Sequence, residues 1–124
     1  MAKNAITWFS IPTANFDRAV KFYSAILGEP VQIHEFMGKK LGFFPMDGEG
    51  SVGGDLVPPG SGVKVSAEGT RVFLNCTGKL DAVAGRVEKA GGKIVQPKFS
   101  IGEHGHIVMI QDSEGNTVGL HSGS

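Results

Sequence analysis

The segment that decides the fold is residues 11–28, IPTANFDRAVKFYSAILG. The apolar residues that recur in it at helical spacing are Phe16, Ala19, Val20, Tyr23 and Leu27. Asn15 is the predicted N-cap, and Gly28 is predicted to end the helix as a left-handed C-cap, followed two residues later by Pro30. The segment therefore predicts an amphipathic helix, preceded by a strand at residues 4–11 that Pro12 ends.

Outward from this helix, the same order of elements occurs twice. The predicted strands of the first unit are residues 4–11, 31–37, 41–46 and 51–57, with a turn at residues 38–40 between the second and the third. The second unit has predicted strands at residues 70–77, 93–99, 105–111 and 116–121, and a helix that ends at residues 91–92. A constant offset of 64 residues pairs Phe9 with Phe73 and Gly28 with Gly92. These units predict an α+β fold in a single domain over residues 1–124, with one βαβββ module at about 1–57, a connector at about 58–68, and a second module at about 69–124.

Composition excludes several classes of function. The chain has 124 residues, of which 40% are hydrophobic and 19% charged, which is ordinary for a globular domain. Twelve basic residues balance twelve acidic ones without a basic cluster, so neither nucleic acid nor an anionic membrane is an expected partner. No apolar run reaches the roughly 20 residues that span a bilayer. The single cysteine, Cys76, and an N-terminus without an apolar leader predict a cytoplasmic protein.

Three stretches carry a resemblance to a known family. They are residues 11–28, residues 89–94 (KAGGKI) and residues 112–120 (DSEGNTVGL). With these three stretches in this order, the chain resembles the vicinal oxygen chelate superfamily, which contains glyoxalases, bleomycin-resistance proteins and extradiol dioxygenases. The resemblance implies two modules that curl into a partial barrel around a cleft, and a homodimer. It does not fix an activity, since the family includes isomerases, epimerases, dioxygenases, thiol transferases and proteins that sequester drugs.

The resemblance also implies four positions for metal ligands, on the first and last strands of each module. Alignment of the helix and hairpin motifs, with the offset of 64, assigns them to Trp8, Asp55, Val72 and Gly119, with Gly54 as the alternative to Asp55. Only Asp55 carries a side chain that binds a divalent ion. The sequence therefore predicts that the usual metal site is absent and that no cofactor is bound.

Candidate ligand-binding residues follow from the same positions. Trp8 would offer the cleft an apolar face and one hydrogen-bond donor, and Gly119 would leave room beside it. His121 shares the face of Gly119 by strand alternation and is the candidate general base, with Asp55 as its partner. In the alternative interpretation, Trp8 only fills the barrel and His121 is an exposed strand end.

A polar cluster, GEHGH at residues 102–106, provides the last candidates. Glycines beside His104 let the backbone approach a ligand, and His104 and His106 share a face if the strand is regular. The pair could then recruit a metal, although the alternative is a turn with one surface histidine and one strand histidine. Cys76 is interpreted as a small buried hydrophobe.

Two functions follow from these predictions. The first is a metal-independent protein that binds a small molecule, and so sequesters a drug or metabolite, in a cleft lined by Trp8, Asp55, Gly119 and His121, with His104 nearby. The alternative is a glyoxalase-like lyase or isomerase that acts through His121 and Asp55, or through a metal held by His104 and His106.

Overall fold

The chain is described here by a computed structural model over residues 4–48 and 51–123. The elements of the first module are β1 (Trp8–Pro12), α1 (Phe16–Leu27), β2 (Gln32–Phe36), β3 (Lys39–Phe43) and β4 (Gly53–Val57). The elements of the second module are β5 (Phe73–Asn75), α2 (Leu80–Ala90), β6 (Lys93–Ser100), β7 (His106–Gln111) and β8 (Thr117–Ser122), with a 3₁₀ turn at Gly102–His104. Both modules therefore have the predicted βαβββ order.

Each module forms one four-stranded sheet. The first has the strand order β1-β4-β3-β2, and the second has the order β5-β8-β7-β6. In each sheet the first strand pairs in parallel with the last strand of its module, and the other pairs are antiparallel. The predicted α+β class and tandem modules are confirmed, and within residues 4–48 and 51–123 the two sheets do not close into a barrel.

Local capping chemistry sets the ends of the helices. The Asn15 side chain accepts a hydrogen bond from the Arg18 backbone N–H at 3.0 Å, as an N-cap does. Gly28 ends α1 at φ 74°, and Gly91 ends α2 at φ 112°. Since only glycine adopts this left-handed conformation without strain, both ends were visible in the sequence.

The turn between β2 and β3 differs from the prediction. Residues 38–40 were expected to form it, but the turn residues are Met37 and Gly38, at φ 53° and 81°. Lys39 and Lys40 instead begin β3. Positive φ at both central residues is the geometry of a two-residue hairpin turn, which matches the twist of the flanking strands.

One hydrophobic core joins the modules. Its largest fully buried side chains are Tyr23, Phe22, Ile26, Leu56, Ile110, Leu120, Val83 and Val87, which come from both helices and both sheets. In β1, Ile11 belongs to this core and Phe9 packs against it, so alternation directs Trp8 and Ser10 to the opposite side. We call that side of each sheet, away from the core, its open face.

The turn between β7 and β8 connects the second module to the start of α1. The Glu114 side chain is fully buried and accepts hydrogen bonds from the backbone N–H groups of Ala14 and Asn15 at 2.9 and 2.7 Å. Arg18 adds two more, from Nε at 2.7 Å and from Nη2 at 3.0 Å. Burial raises the pKa of Glu114, but these hydrogen bonds, that of Arg18 foremost, outweigh burial and hold the pKa below its ordinary value.

A second carboxylate completes this turn. Asp112 Oδ2 accepts hydrogen bonds from the Tyr23 hydroxyl at 2.6 Å and from Asn116 Nδ2 at 2.9 Å, and Asn116 Nδ2 also reaches the Pro12 carbonyl at 2.9 Å. Burial, and then the charge of Asp112, raise the pKa of Tyr23 well above its ordinary value. The hairpin motif of module two therefore fixes module one in place through buried polar contacts.

No helix within residues 4–48 and 51–123 is long and apolar enough to cross a membrane.

Candidate functional site

A cavity of about 570 Å³ lies between the two modules. β1 and β5 are each the edge strand of a sheet, no ladder joins them among the described strands, and the cavity lies where both contribute side chains. Its aromatic lining residues are Trp8, Phe9, Phe44 and Phe73. Cavities of this size and apolar character are typical of small-molecule sites. We call it the intermodular cavity.

A few charged groups lie among these apolar walls. Lys79 Nζ lies 3.7 Å from Glu29 Oε2, and both residues line the cavity. Arg71 lines it as well. Within residues 4–48 and 51–123, no hydrogen bond or ion pair engages the Arg71 guanidinium. The cavity therefore has one paired cation and one cation with its donors available to a ligand.

Glycines allow the aromatic rings to lie flat on the sheets. A Cβ atom at Gly54 would be 2.4 Å from the Phe9 ring, and one at Gly119 would be 2.2 Å from the Phe73 ring. Gly53 pairs with Trp8 across the parallel ladder. The Phe9 and Phe73 rings therefore take the space of absent side chains on the neighbouring strands, whereas at Gly53 that space is taken by Met46, with Trp8 Cζ3 at 3.2 Å.

Of the predicted site residues, Trp8 lies in the intermodular cavity. It is 38% exposed and contacts Phe43 edge-on, with 5.2 Å between the ring centroids. Asp55 also lies on the open face, but it is buried and accepts a 2.6 Å hydrogen bond from the Ser10 hydroxyl. Asp55 does not line the intermodular cavity.

The second group of predicted residues lies on the other sheet. Gly119 pairs with Phe73, whose ring covers it, so the expected room beside Gly119 is filled. His121 Nε2 lies 2.8 Å from the His104 carbonyl oxygen, which brings these two histidines together. No hydrogen bond or ion pair in the described part of the chain joins His121 to Asp55.

His104 and His106 do not share a strand face. His104 ends the 3₁₀ turn, and Gly105 follows with φ 104° and ψ −134°, so the expected regular alternation fails there. His106 lines a separate cavity of about 300 Å³ at the start of α2, together with Lys98 and Asp81, which form a 3.0 Å ion pair. His104 is not part of that lining.

Cys76 is fully buried, as its interpretation as a small hydrophobe requires. Burial raises the pKa of its thiol, and nearby Lys79 lowers it by less.

Comparison with known proteins identifies the family. A family model described as the glyoxalase/bleomycin resistance protein/dioxygenase superfamily matches residues 5–120. The chain belongs to this superfamily. Among solved structures, a glyoxalase/bleomycin resistance protein from Albidiferax ferrireducens superposes with a TM-score of 0.74 at 16% identity, covering 96% of this chain and 98% of that one. A lactoylglutathione lyase from Agrobacterium tumefaciens gives 0.67 at 19% identity, covering 99% and 96%. At these identities the likeness shows the fold alone.

The match to a curated relative spans only part of that relative's length. CFP32 of Mycobacterium tuberculosis, whose name assigns it provisionally to the glyoxylases, is 29% identical over 119 residues. The match covers 91% of this chain and 43% of CFP32. The chain therefore spans less than half of that relative.

The structure changes one of the four superfamily ligand positions. Val72 packs against the core, so it lies on the opposite side of β5 from Phe73, which pairs with Gly119. The offset of 64 that led to Val72 is wrong for this strand, because alternation requires an odd offset from Trp8 to any open-face residue of β5. Phe73 and Asn75 are the open-face residues there.

The residues at these positions do not fit the superfamily's divalent metal. The open-face positions of the four strands in question are Trp8, Ser10, Pro12, Gly53, Asp55, Val57, Phe73, Asn75, Thr117, Gly119 and His121. Among them only Asp55 and His121 are strong ligands, whereas a firm site for a divalent ion takes at least three protein ligands. The part of the chain that the structure describes contains no group of three His, Cys, Asp or Glu residues placed to hold a metal ion.

Arg71, Phe44 and Phe73 were missed as candidate site residues. Phe73 appeared in the sequence only as the repeat partner of Phe9, because the offset assigned the ligand position to its neighbour. Phe44 and Arg71 fall inside the predicted strands at residues 41–46 and 70–77, but β3 ends at Phe43 and β5 begins at Phe73, so alternation along the predicted strands does not give the direction of their side chains. The module order did contain one signal for the cavity, namely that β1 and β5 are both edge strands. Two edge strands that do not pair with each other leave a gap between their sheets.

Proposed function

We propose that this superfamily member binds a small organic molecule in the intermodular cavity and does so without the superfamily's metal centre. The observation that carries the proposal is the 570 Å³ cavity itself, with Trp8 and Phe73 contributed by different modules. The protein would hold a drug or metabolite rather than transform it.

The form of the cavity supports binding. Small-molecule sites are concave, largely apolar and provided with a few placed polar groups. Here Arg71, Lys79 and Glu29 supply those groups among the aromatic walls. The rings of Phe9 and Phe73 are set by packing on Gly54 and Gly119, so the walls are formed before a ligand arrives.

The predicted catalytic pair has less support than binding. Asp55 is already hydrogen-bonded to Ser10, and His121 to the His104 carbonyl. A general base must reach the proton that it abstracts, and neither residue lines the intermodular cavity. A lyase or isomerase acting through His121 and Asp55 therefore stays a prediction without a supporting contact.

A homodimer is part of the proposal. The chain exposes 7622 Å², whereas a compact monomer of 13.0 kDa exposes about 6,300 Å². The difference exceeds the roughly 800 Å² per partner that a standard interface buries. Much of the exposed apolar area lies on the outer strands and the β2–β3 turn, where Ile33, Phe36, Met37 and Val95 are 49%, 61%, 87% and 55% exposed.

Light scattering on a sizing column tests the dimer. The wild type should elute with twice the mass of the chain, and Phe36→Lys should shift it toward the monomer mass. Val63→Lys is the matched control, because Val63 is 50% exposed and lies in the connector, outside every strand of the two sheets. A wild type at the monomer mass would contradict this part of the proposal.

A thermal-shift panel combined with elemental analysis tests the binding function. The panel contains glycopeptide antibiotics of the bleomycin type, glutathione adducts, catechols and aromatic carboxylic acids. A ligand that binds only the folded state raises the melting temperature by mass action. Trp8 is the sole tryptophan and lines the cavity, so its fluorescence reports occupation of this site. We expect one class of ligand to raise the melting temperature and to change the Trp8 emission, with no stoichiometric metal in the protein.

Matched variants locate the site. Trp8→Ala should weaken the ligand found by the panel about ten-fold in calorimetric titration, since it removes one aromatic wall. Phe99→Ala should leave the affinity unchanged, because Phe99 is also 38% exposed but lies on β6 outside the cavity. Equal losses in both variants, or a tightly held metal required for binding, would contradict the proposal.

A further inference from the structure

We infer that the ligand of the intermodular cavity is a planar aromatic monoanion, held by its ring between the aromatic walls and by its charge on Arg71. This inference rests on the proposed function and names its ligand class.

The aromatic half of the inference comes from the walls. Trp8 comes from the edge strand of the first sheet and Phe73 from the edge strand of the second, and both line the same cavity. The Phe73 ring packs on Gly119 of the paired strand, and the Trp8 ring, paired with Gly53, is 38% exposed. Aromatic rings offer π-faces, and π-faces prefer stacked or edge-on aromatic partners over saturated ones. A planar conjugated ligand uses both walls, whereas a saturated one of equal size gains only the area that it buries.

The charged half comes from the balance of the polar lining. Lys79 Nζ and Glu29 Oε2 lie 3.7 Å apart, so their opposite charges largely cancel at the position of a ligand. Arg71 remains, with its guanidinium donors unused by the described residues. One unpaired cation favours one negative charge, and the planar fork of arginine fits a carboxylate or sulfonate with two parallel hydrogen bonds. A polyphosphate or a dicarboxylate would bring an extra charge that no lining group neutralises.

The size of the cavity limits the ligand as well. A volume of about 570 Å³ accommodates a molecule of two or three fused rings with a short acidic substituent. The aromatic walls would surround the rings, and the acid would lie toward the solvent-exposed Arg71.

Calorimetric titration with three probes tests the inference. The probes are 2-naphthoate, the neutral alcohol 2-naphthalenemethanol and the saturated acid decahydro-2-naphthoate. We expect 2-naphthoate to bind about five-fold more tightly than the alcohol, since an exposed ion pair contributes up to about that factor. We also expect it to bind about five-fold more tightly than the saturated acid.

Two variants assign these differences to their residues. Arg71→Gln should remove the preference for 2-naphthoate over the alcohol, whereas Lys64→Gln, at an exposed lysine outside the cavity, should leave that preference unchanged. Trp8→Leu should reduce the preference for 2-naphthoate over the saturated acid. Circular dichroism checks that each variant is folded.

The outcomes separate this inference from the proposed function. Equal affinity for 2-naphthoate and the alcohol, or an unchanged preference in Arg71→Gln, would overturn the charged half. Equal affinity for the two acids would overturn the aromatic half. If none of the three probes binds but the thermal-shift panel still finds a ligand that changes Trp8 emission, the ligand class is wrong and the binding function stands. If neither experiment finds a ligand, both fall.

Discussion

The contact of Glu114 with the start of α1 gives the most detailed prediction of stability. Glu114→Gln keeps the shape of the side chain and removes its charge. In the wild type, Arg18 Nε donates to a Glu114 carboxylate oxygen at 2.7 Å. In the variant, the amide oxygen can still accept from the Ala14 and Asn15 N–H groups, but the amide NH₂ takes the place of the oxygen that faces Arg18 Nε–H. The variant therefore loses a charge-assisted hydrogen bond and places two hydrogen-bond donors, the amide NH₂ and the Arg18 Nε–H, against each other. A bond of this kind contributes about 1.5–3 kcal/mol, and we expect the free energy of unfolding to fall by about that amount at pH 7.

The pH dependence gives this prediction a second readout. The pKa of Glu114 is lowered in the folded protein, so its carboxylate stabilises the fold above the unfolded pKa, about 4.3, and this stability is lost as pH falls through the folded pKa. The difference between wild type and Glu114→Gln should therefore be largest near pH 7 and shrink in acid. Urea denaturation followed by circular dichroism at several pH values measures it.

The control for this experiment is Glu88→Gln. Glu88 is exposed on α2, so its substitution should change the free energy of unfolding by less than about 0.5 kcal/mol. If Glu114→Gln is as stable as Glu88→Gln at neutral pH, or if its deficit does not change with pH, the charged contact does not join the modules as argued.

Three further predictions concern buried or unfilled positions. Tyr23→Phe removes the buried hydroxyl that donates to Asp112, and urea melts should show a loss of about 1.5–3 kcal/mol; because the pKa of Tyr23 is raised, the wild type alone should lose this stability as pH rises above about 10. Gly85→Ala should stabilise the protein by about 0.5–1 kcal/mol, since Gly85 lies inside α2 with nothing within 4 Å of an added Cβ; a lower melting temperature would contradict this. Cys76 should react with Ellman's reagent only as the protein unfolds, and reaction at the rate of a free thiol in native buffer would contradict its burial.

Local chemistry explains what the sequence predicted well. The ends of α1 depend on Asn15 and Gly28, whose roles need no distant partner, and both predictions are confirmed. The βαβββ order follows from periodicity and turn residues in the same way. The β2–β3 turn was misplaced because Met37 adopts positive φ, which a side chain of its kind rarely does and which no local rule anticipates.

Contacts between distant residues explain what the sequence did not predict. Glu114 was recognised in the sequence only as part of the stretch at residues 112–120, yet its partner Ala14 lies 100 residues away along the chain. The constant offset of 64 assigned a ligand position to Val72. The ladder between β5 and β8 instead pairs Gly119 with Phe73, one residue further along β5. Such a shift moves every side chain to the other face, so the aromatic lining at Phe73 and the donor of Arg71 became visible only in three dimensions.

The most direct test of the central claim is a crystal structure of the protein with the tightest ligand from the panel. The account predicts ligand density in the intermodular cavity, in contact with Trp8 and Phe73 and with no metal between ligand and protein. Ligand density outside this cavity, coordinated to a metal at Asp55 or His121, would contradict it.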